Sequence, residues 1–484
     1  MTPEGLRARG ERLHQELGRE SYVTGAGFAA EAHFEEIFER YADLAGDEAA
    51  DAARAVPALY AWVVDNRVGR AAAALEDRLH AWEAAARVTL PDGTALPYQR
   101  VAVEIANAAE RRRRLALDAA RRAVLAEPTA LRAERLARER EVIAGLGLGD
   151  VVTARGALAG IDLDALAVAC DGFLARTADL YREMLGERLR RRLRLRPGEA
   201  ERADAVFLFR SADFDDAFPS EALVPTARRQ VAEMGLDAEA GGRIRYDTAE
   251  RERKRPRAFC APVRVPDEVY LVIRPFGGAS DYGAFWHELG HALHYSHTGA
   301  SLPFEHRWLG DNSVTEGFAM LFEHQTTSPA WLRRYGPLRG ERLRAFERDQ
   351  AFAKLAVVRR YAAKLRYELE LFRAPRLEAG AGRYAETLTA ATQFRYAPED
   401  YLVDLDDGFY AARYLRAWQL EAGLAALLTE RFDEDWFRNP RAGPFVAALM
   451  ARGQRDDAAA LAAEVLGRPL DFGSLAASCE TGLA

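Results

Sequence analysis

Lysine is nearly absent from this chain. It occurs only at Lys254, Lys354 and Lys364, although 484 residues carry 67 basic side chains, so the rest are arginine. Alanine is abundant throughout, and the bias reads as genome composition rather than as function. Cysteine is scarce too. Cys170, Cys260 and Cys479 stand far apart with no C-x-x-C pair, which argues against a cysteine zinc site or a disulfide framework. No apolar run approaches the roughly 18–20 residues needed to span a bilayer, so no membrane partner is expected. The first residues, MTPEGLRARGERLHQELGRE, are charged throughout and lack the apolar core of a secretory signal. A cytoplasmic protein is expected. Excess positive charge is also missing: the formal net charge is −7, so no nucleic-acid partner is implied.

What is present is ordinary for a soluble protein, with 49% hydrophobic and 29% charged residues, enough apolar material for a large core. Residues 1–200 read as helix after helix. Stretches 53–88 and 101–144 carry apolar residues at three- and four-residue spacing. Light punctuation falls at Pro91–Gly93 and Gly145–Gly149. Two arginine runs, Arg111–Arg114 and Arg188–Arg196, read as solvated helix faces balanced by nearby glutamates rather than as an anion-binding patch. The texture changes after Pro197. Ala205–Arg210 (AVFLFR) and Val269–Arg274 (VYLVIR) look like strands. From Ser313 to about Leu466 the pattern is helical again, and the ending ETGLA is expected to fray. Two regions are therefore expected: 1–200, wholly helical, and 201–484, with a small sheet and further helices.

The chemistry is concentrated in HELGHALHYSHTG, His287 to Gly299. His287, Glu288 and His291 form H-E-x-x-H. On a helix, residues four apart share a face, so both imidazoles can aim at one zinc ion. Glu288 lies beside them, placed to act on a water without binding the metal. Chance alone would produce this pattern in roughly one chain in sixty of this composition, so the context has to decide. Glu288 is the one charged residue in GAFWHELGHALHY, which marks a buried helix, and buried histidines need partners. Six of the nine histidines fall between His287 and His324.

A third ligand is required, and two candidates compete. His297 has the spacing of H-E-x-x-H-x-x-G-x-x-H proteases, but His294 occupies the place of the glycine that must break the helix there. In an unbroken helix His297 stands about 15 Å along the axis from His287 and cannot share its metal. The other candidate is Glu316, in DNSVTEGFAMLFEH. It can complete a His2Glu site from a second helix, or it can serve Ser313 as the far end of a capping box. Glu323, seven residues on, suits an acceptor behind a ligand histidine, or an ordinary surface charge. His294 is read as a residue supporting the ligands or as packing.

These segments together resemble a known family. RKRPRAFCAPV (Arg253–Val263), GGASDYGAFWHELGHALH (Gly277–His294) and VTEGFAMLFE (Val314–Glu323) are similar to the thimet oligopeptidase and oligoendopeptidase F family of zinc metallopeptidases. Gly277 and Asp281 keep the family's spacing ahead of His287. Glu316 falls on the family's third ligand, and Glu323 on its following glutamate. The convincing part covers about residues 250–330, with weaker similarity at 395–445.

The resemblance implies a mainly α fold: a large helical ellipsoid with a deep substrate channel and a small β-sheet next to the H-E-x-x-H helix. Residues 1–200 would form one channel wall. One Zn2+ ion per chain is implied, held by His287, His291 and Glu316, with Glu323, Asp281 and His294 behind the ligands. The resemblance makes Val269–Arg274 an edge strand along the substrate, so Val269, Leu271 and Ile273, with Gly277 and Gly278, are expected to bind peptide. In the C-terminal part Tyr410 and Tyr414 align with two family tyrosines that stabilise the oxyanion, but Leu405 stands at a family histidine and Ala417 at a third tyrosine. The expected activity is hydrolysis of short peptides, with Glu288 as general base. A zinc carboxypeptidase of similar helical build, and a non-catalytic metal-containing peptide-binding protein, are the alternatives.

Overall fold

The first helix, Pro3–Gly25, starts where its sequence says it should: the Thr2 side chain accepts from Gly5 N–H at 3.1 Å, and Pro3 follows at the first helical position. It is one element of a computed structural model that describes residues 1–29, 31–255 and 257–483. The fold is mainly α, with 70% of the chain helical and 5% in sheet. Among the described residues no helix is long and apolar enough to cross a membrane.

The chain divides into two compact units, and the division differs from the expected boundary near residue 200. The first unit joins residues 1–66, 212–350 and 413–478; the second joins 67–211, 351–412 and 479–484. The first helix therefore belongs with the H-E-x-x-H segment, not with the helices that follow it in sequence.

In the first unit a three-stranded sheet is sandwiched between helices. Its central strand, Glu268–Val272, pairs in parallel with Ile244–Asp247 and antiparallel with Phe259–Arg264. All five central residues are buried, as expected for a strand covered on both faces. One face meets the first helix, where Tyr22 stacks on Tyr270 with ring centres 3.7 Å apart. The other meets the motif helix, Ala279–His297, through Leu271, Phe285 and Leu289. The expectation of an edge strand at Val269–Arg274 is thus corrected. Its unbroken apolar run belongs to an interior strand, and Ile244–Asp247 and Phe259–Arg264 are the two edges, the second lying against the motif helix. Val269, Leu271 and Ile273 pack into the core and cannot line a peptide.

The motif helix buries Tyr282, Phe285, Trp286, Leu289, Ala292 and Leu293 at helical spacing. Against it lies the glutamate helix, Asn312–Gln325, buried on all sides from Ser313 to Phe322. The two touch backbone to backbone at Gly290, where a Cβ atom would stand 2.6 Å from Ala319 Cα and 2.7 Å from Phe318 O.

In the second unit Ala205–Arg210 is not a strand. Residues Arg202–Leu208 form a helix started by a capping box between Glu201 and Asp204. Buried Asp204 also receives Arg111 at 3.0 Å and Arg114 at 2.9 Å, so these two residues of the first arginine run serve an internal carboxylate. Apolar, aromatic-rich composition suggested β-structure, and the cap with its ion pairs overrode it. Pro91–Gly93 turns a short hairpin between Arg87–Thr89 and Ala95–Pro97. Of the ending expected to fray, Glu480–Leu483 closes a helix, Gly473–Leu483, and Ala484 lies outside the described residues.

One buried side chain ties the rear of the motif helix to its surroundings. Gln230 Oε1 accepts from Trp286 Nε1–H at 2.7 Å and from Trp331 Nε1–H at 2.8 Å. Gln230→Leu leaves two buried indole donors without an acceptor, at about 1–3 kcal/mol each. The expected result is a lower urea midpoint with an unchanged slope; an unchanged midpoint would show that the pair is not structural.

Candidate metal centre

His287 and His291 lie one turn apart on the motif helix, with ring centres 4.9 Å apart. The glutamate helix brings Glu316 to both. Its Oε2 lies 3.4 Å from His287 Nε2 and 3.6 Å from His291 Nε2. Donor atoms of all three residues fall within 4.8 Å of one another, and among the described residues no other group of His, Cys, Asp and Glu is so arranged. Two ligands at zinc-like bond lengths in a tetrahedron stand about 3.4 Å apart. The two imidazole–carboxylate distances match that spacing, and the nitrogen–nitrogen–oxygen donor set suits zinc.

Both imidazoles are oriented from behind. In the tautomer that leaves each Nε2 free for a cation, His287 Nδ1–H donates to Glu323 Oε2 and His291 Nδ1–H to Thr315 Oγ1, both at 2.9 Å. Glu316 does not cap its helix. Asp311 does that, accepting from Ser313 N–H at 2.9 Å, so the Glu316 carboxylate is left to face the histidines.

Charge in the site is finely placed. Burial disfavours the charged form of His287, but hydrogen bonds with Glu316 and Glu323 hold its pKa well above the ordinary histidine value. Burial lowers His291 to about 4. A cation entering the triad would therefore displace a proton from His287. Burial raises Glu288 to about 7, opposed by His287 and by a hydrogen bond from the Cys260 backbone N–H. A carboxyl group balanced in this way can both accept and return a proton near neutrality.

The remaining expected residues fall in several places. The motif helix is unbroken through His297, whose Nδ1 faces Leu293 O at 2.8 Å, apart from the triad. His294 is fully buried, with Nε2 3.2 Å from Gly453 O, and it is a packing residue rather than a support for the ligands. The Asp281 carboxylate accepts from Phe276 N–H at 2.5 Å and Gly277 N–H at 2.8 Å. It fixes the loop entering the motif helix. Gly277 and Gly278 form that loop, with Gly278 N–H donating to Phe218 O at 2.7 Å. Tyr410 and Tyr414 start the helix Tyr410–Phe432, both partly exposed, and Tyr414 faces the Trp418 ring at 6.2 Å. Tyr410 belongs to the second unit and Tyr414 to the first. Leu405 is in the second unit; Ala417 is buried in the first.

Sequence reasoning missed three contributors. Thr315 holds His291; its position directly before the ligand candidate was the available signal. Tyr295 stacks on the His291 ring with centres 6.5 Å apart, and the i, i+4 spacing from His291 placed it on the same face. The Cys260 backbone, which reaches Glu288, carried no side-chain signal at all.

In comparisons with known proteins, no protein-family model and no curated protein matches the chain.

The site predicts a graded response in zinc affinity, measured by competition with a chromophoric chelator. Glu316→Ala loses tight binding, His297→Ala keeps it, and Thr315→Val weakens it by about 10–100-fold. Loss in His297→Ala with retention in Glu316→Ala would overturn the assignment.

Proposed function

We propose that this chain is a zinc-dependent peptidase acting on short peptides, related to the thimet oligopeptidase and oligoendopeptidase F family. The observation that carries the reading is the meeting of His287, His291 and Glu316, with Glu288 next to them in sequence on the same helix. A metal site kept only for stability has no use for a buried carboxylate balanced near neutrality next to its ligands.

His287, His291 and Glu316 would hold one Zn2+ ion, which supplies Lewis acidity and brings the pKa of a water towards 7. Glu288 takes the proton from the attacking water and delivers it to the leaving amine. Glu323 and Thr315 keep the imidazoles aimed while charge develops. An extended peptide lies along the edge strand Phe259–Arg264, which offers main-chain groups for β-pairing. Tyr414, in the same unit as the triad, is the family-aligned candidate to donate to the oxyanion.

Glu288→Gln tests the reading. The variant should bind zinc like the wild type and lose peptide turnover by about 10²–10⁴-fold, followed by mass spectrometry on a mixed peptide library. If both proteins hold one zinc and both leave the library intact, the peptidase reading fails and a peptide-binding role takes its place.

A further inference from the structure

The direction of every main-chain group on the edge strand can be read from its neighbours. Val269 N–H donates to Arg243 O at 2.9 Å, and Ile273 N–H to Asp247 O at 3.0 Å. Val269, Leu271 and Ile273 thus turn their main-chain groups towards strand Ile244–Asp247. The register sets Cys260 opposite Leu271 and Pro262 opposite Val269. In an antiparallel pair, opposite residues either exchange both hydrogen bonds or neither. The main-chain groups of Cys260 and Pro262 therefore point away from the sheet, along its open edge, while those of Phe259 and Ala261 point into it.

The two outward positions meet different surroundings. Strand Phe259–Arg264 packs against the motif helix, with Cys260 beside Glu288, which places this register at the reacting bond of a docked peptide. Pro262 has no N–H to offer. Its outward carbonyl is pressed by the first helix at Gly18, so closely that a methyl group on Gly18 would overlap that oxygen. The same helix continues along the edge strand, and Gly25 packs on the Phe259 ring. Glycine in a helix interior costs about 1 kcal/mol relative to alanine, and at Gly18 that cost permits the close approach.

We propose that the docking edge is closed at Pro262 by the first helix, so that a bound peptide has room for only about two residues on that side of the scissile bond. This rests on the peptidase reading above. Strand residues advance by about 3.3 Å, so the step from Cys260 to Pro262 spans about 7 Å. Antiparallel pairing is the more stable arrangement. The edge strand runs from Phe259 to Arg264, so an antiparallel peptide directs its amino-terminal end towards Pro262. The enzyme then releases amino-terminal fragments of one to three residues, and the carboxyl-terminal side is not limited by this contact.

The test uses the full-length zinc-loaded protein and one peptide sequence, offered as such and with three or six residues added at its amino terminus. Products are identified by mass spectrometry, with Glu288→Gln as control. The cut should move with the new amino terminus, and kcat/KM at the original bond should fall on the order of a hundredfold once six residues precede it. A cut that stays at the original bond at an undiminished rate overturns the inference, as does release of short carboxyl-terminal fragments. Absence of any Glu288-dependent cut overturns the peptidase reading itself, and the inference with it.

Discussion

Two helices meet backbone to backbone at Gly290, and the arrangement of the site depends on that contact. A side chain there would collide with Phe318 O and Ala319 Cα. Because none is present, the glutamate helix lies close enough to set Glu316 against two imidazoles on the motif helix. Separation of the helices by even one methyl group would draw the carboxylate away from the donors it faces at 3.4 and 3.6 Å. The glycine inside H-E-L-G-H is thus part of the geometry of the centre, although it carries no functional group.

The electrostatic arrangement builds on this packing. Glu316, Glu323 and Glu288 gather around His287, and burial strengthens each interaction by excluding water. His287 and His291 respond in opposite directions, because His287 is paired with two carboxylates while burial dominates at His291. One imidazole is thus held cationic and the other neutral. A divalent cation would relieve the crowding of carboxylates and convert both histidines into ligands. The sheet adds direction: its edge strand packs on the motif helix with Cys260 beside Glu288, and the first helix lies against that edge at Pro262.

Much of the centre was readable from the sequence, because helical spacing is a strong local rule. His287 and His291 share a face by periodicity alone, and His294 in place of a glycine correctly implied an unbroken helix through His297. The seven-residue offset put Glu323 on the face of Glu316, leaving open a place behind a ligand histidine or an ordinary surface charge, and it lies behind His287. The choice between ligand and cap for Glu316 could not be made locally, since Asp311 and Ser313 are both good N-cap residues and the extended backbone at Asp311 selects between them. The largest miss depends on long-range pairing. Whether Val269–Arg274 is an edge or an interior strand is decided by residues 244–247, whose pairing has no local signature. Asp281, placed by the family resemblance, holds a loop, and His294, read as a support for the ligands or as packing, faces a distant carbonyl. At Ala205–Arg210 a cap and a buried ion pair outweighed β-propensity.

The central claim is that His287, His291 and Glu316 together bind a single zinc ion. X-ray absorption at the zinc K-edge of the purified, zinc-loaded chain tests it most directly. The account predicts one zinc per chain, four-coordinate, with nitrogen and oxygen neighbours at about 2.0–2.2 Å and the outer-sphere signature of two imidazoles. Sulfur at about 2.3 Å, three imidazoles, or failure to retain zinc at all would contradict it.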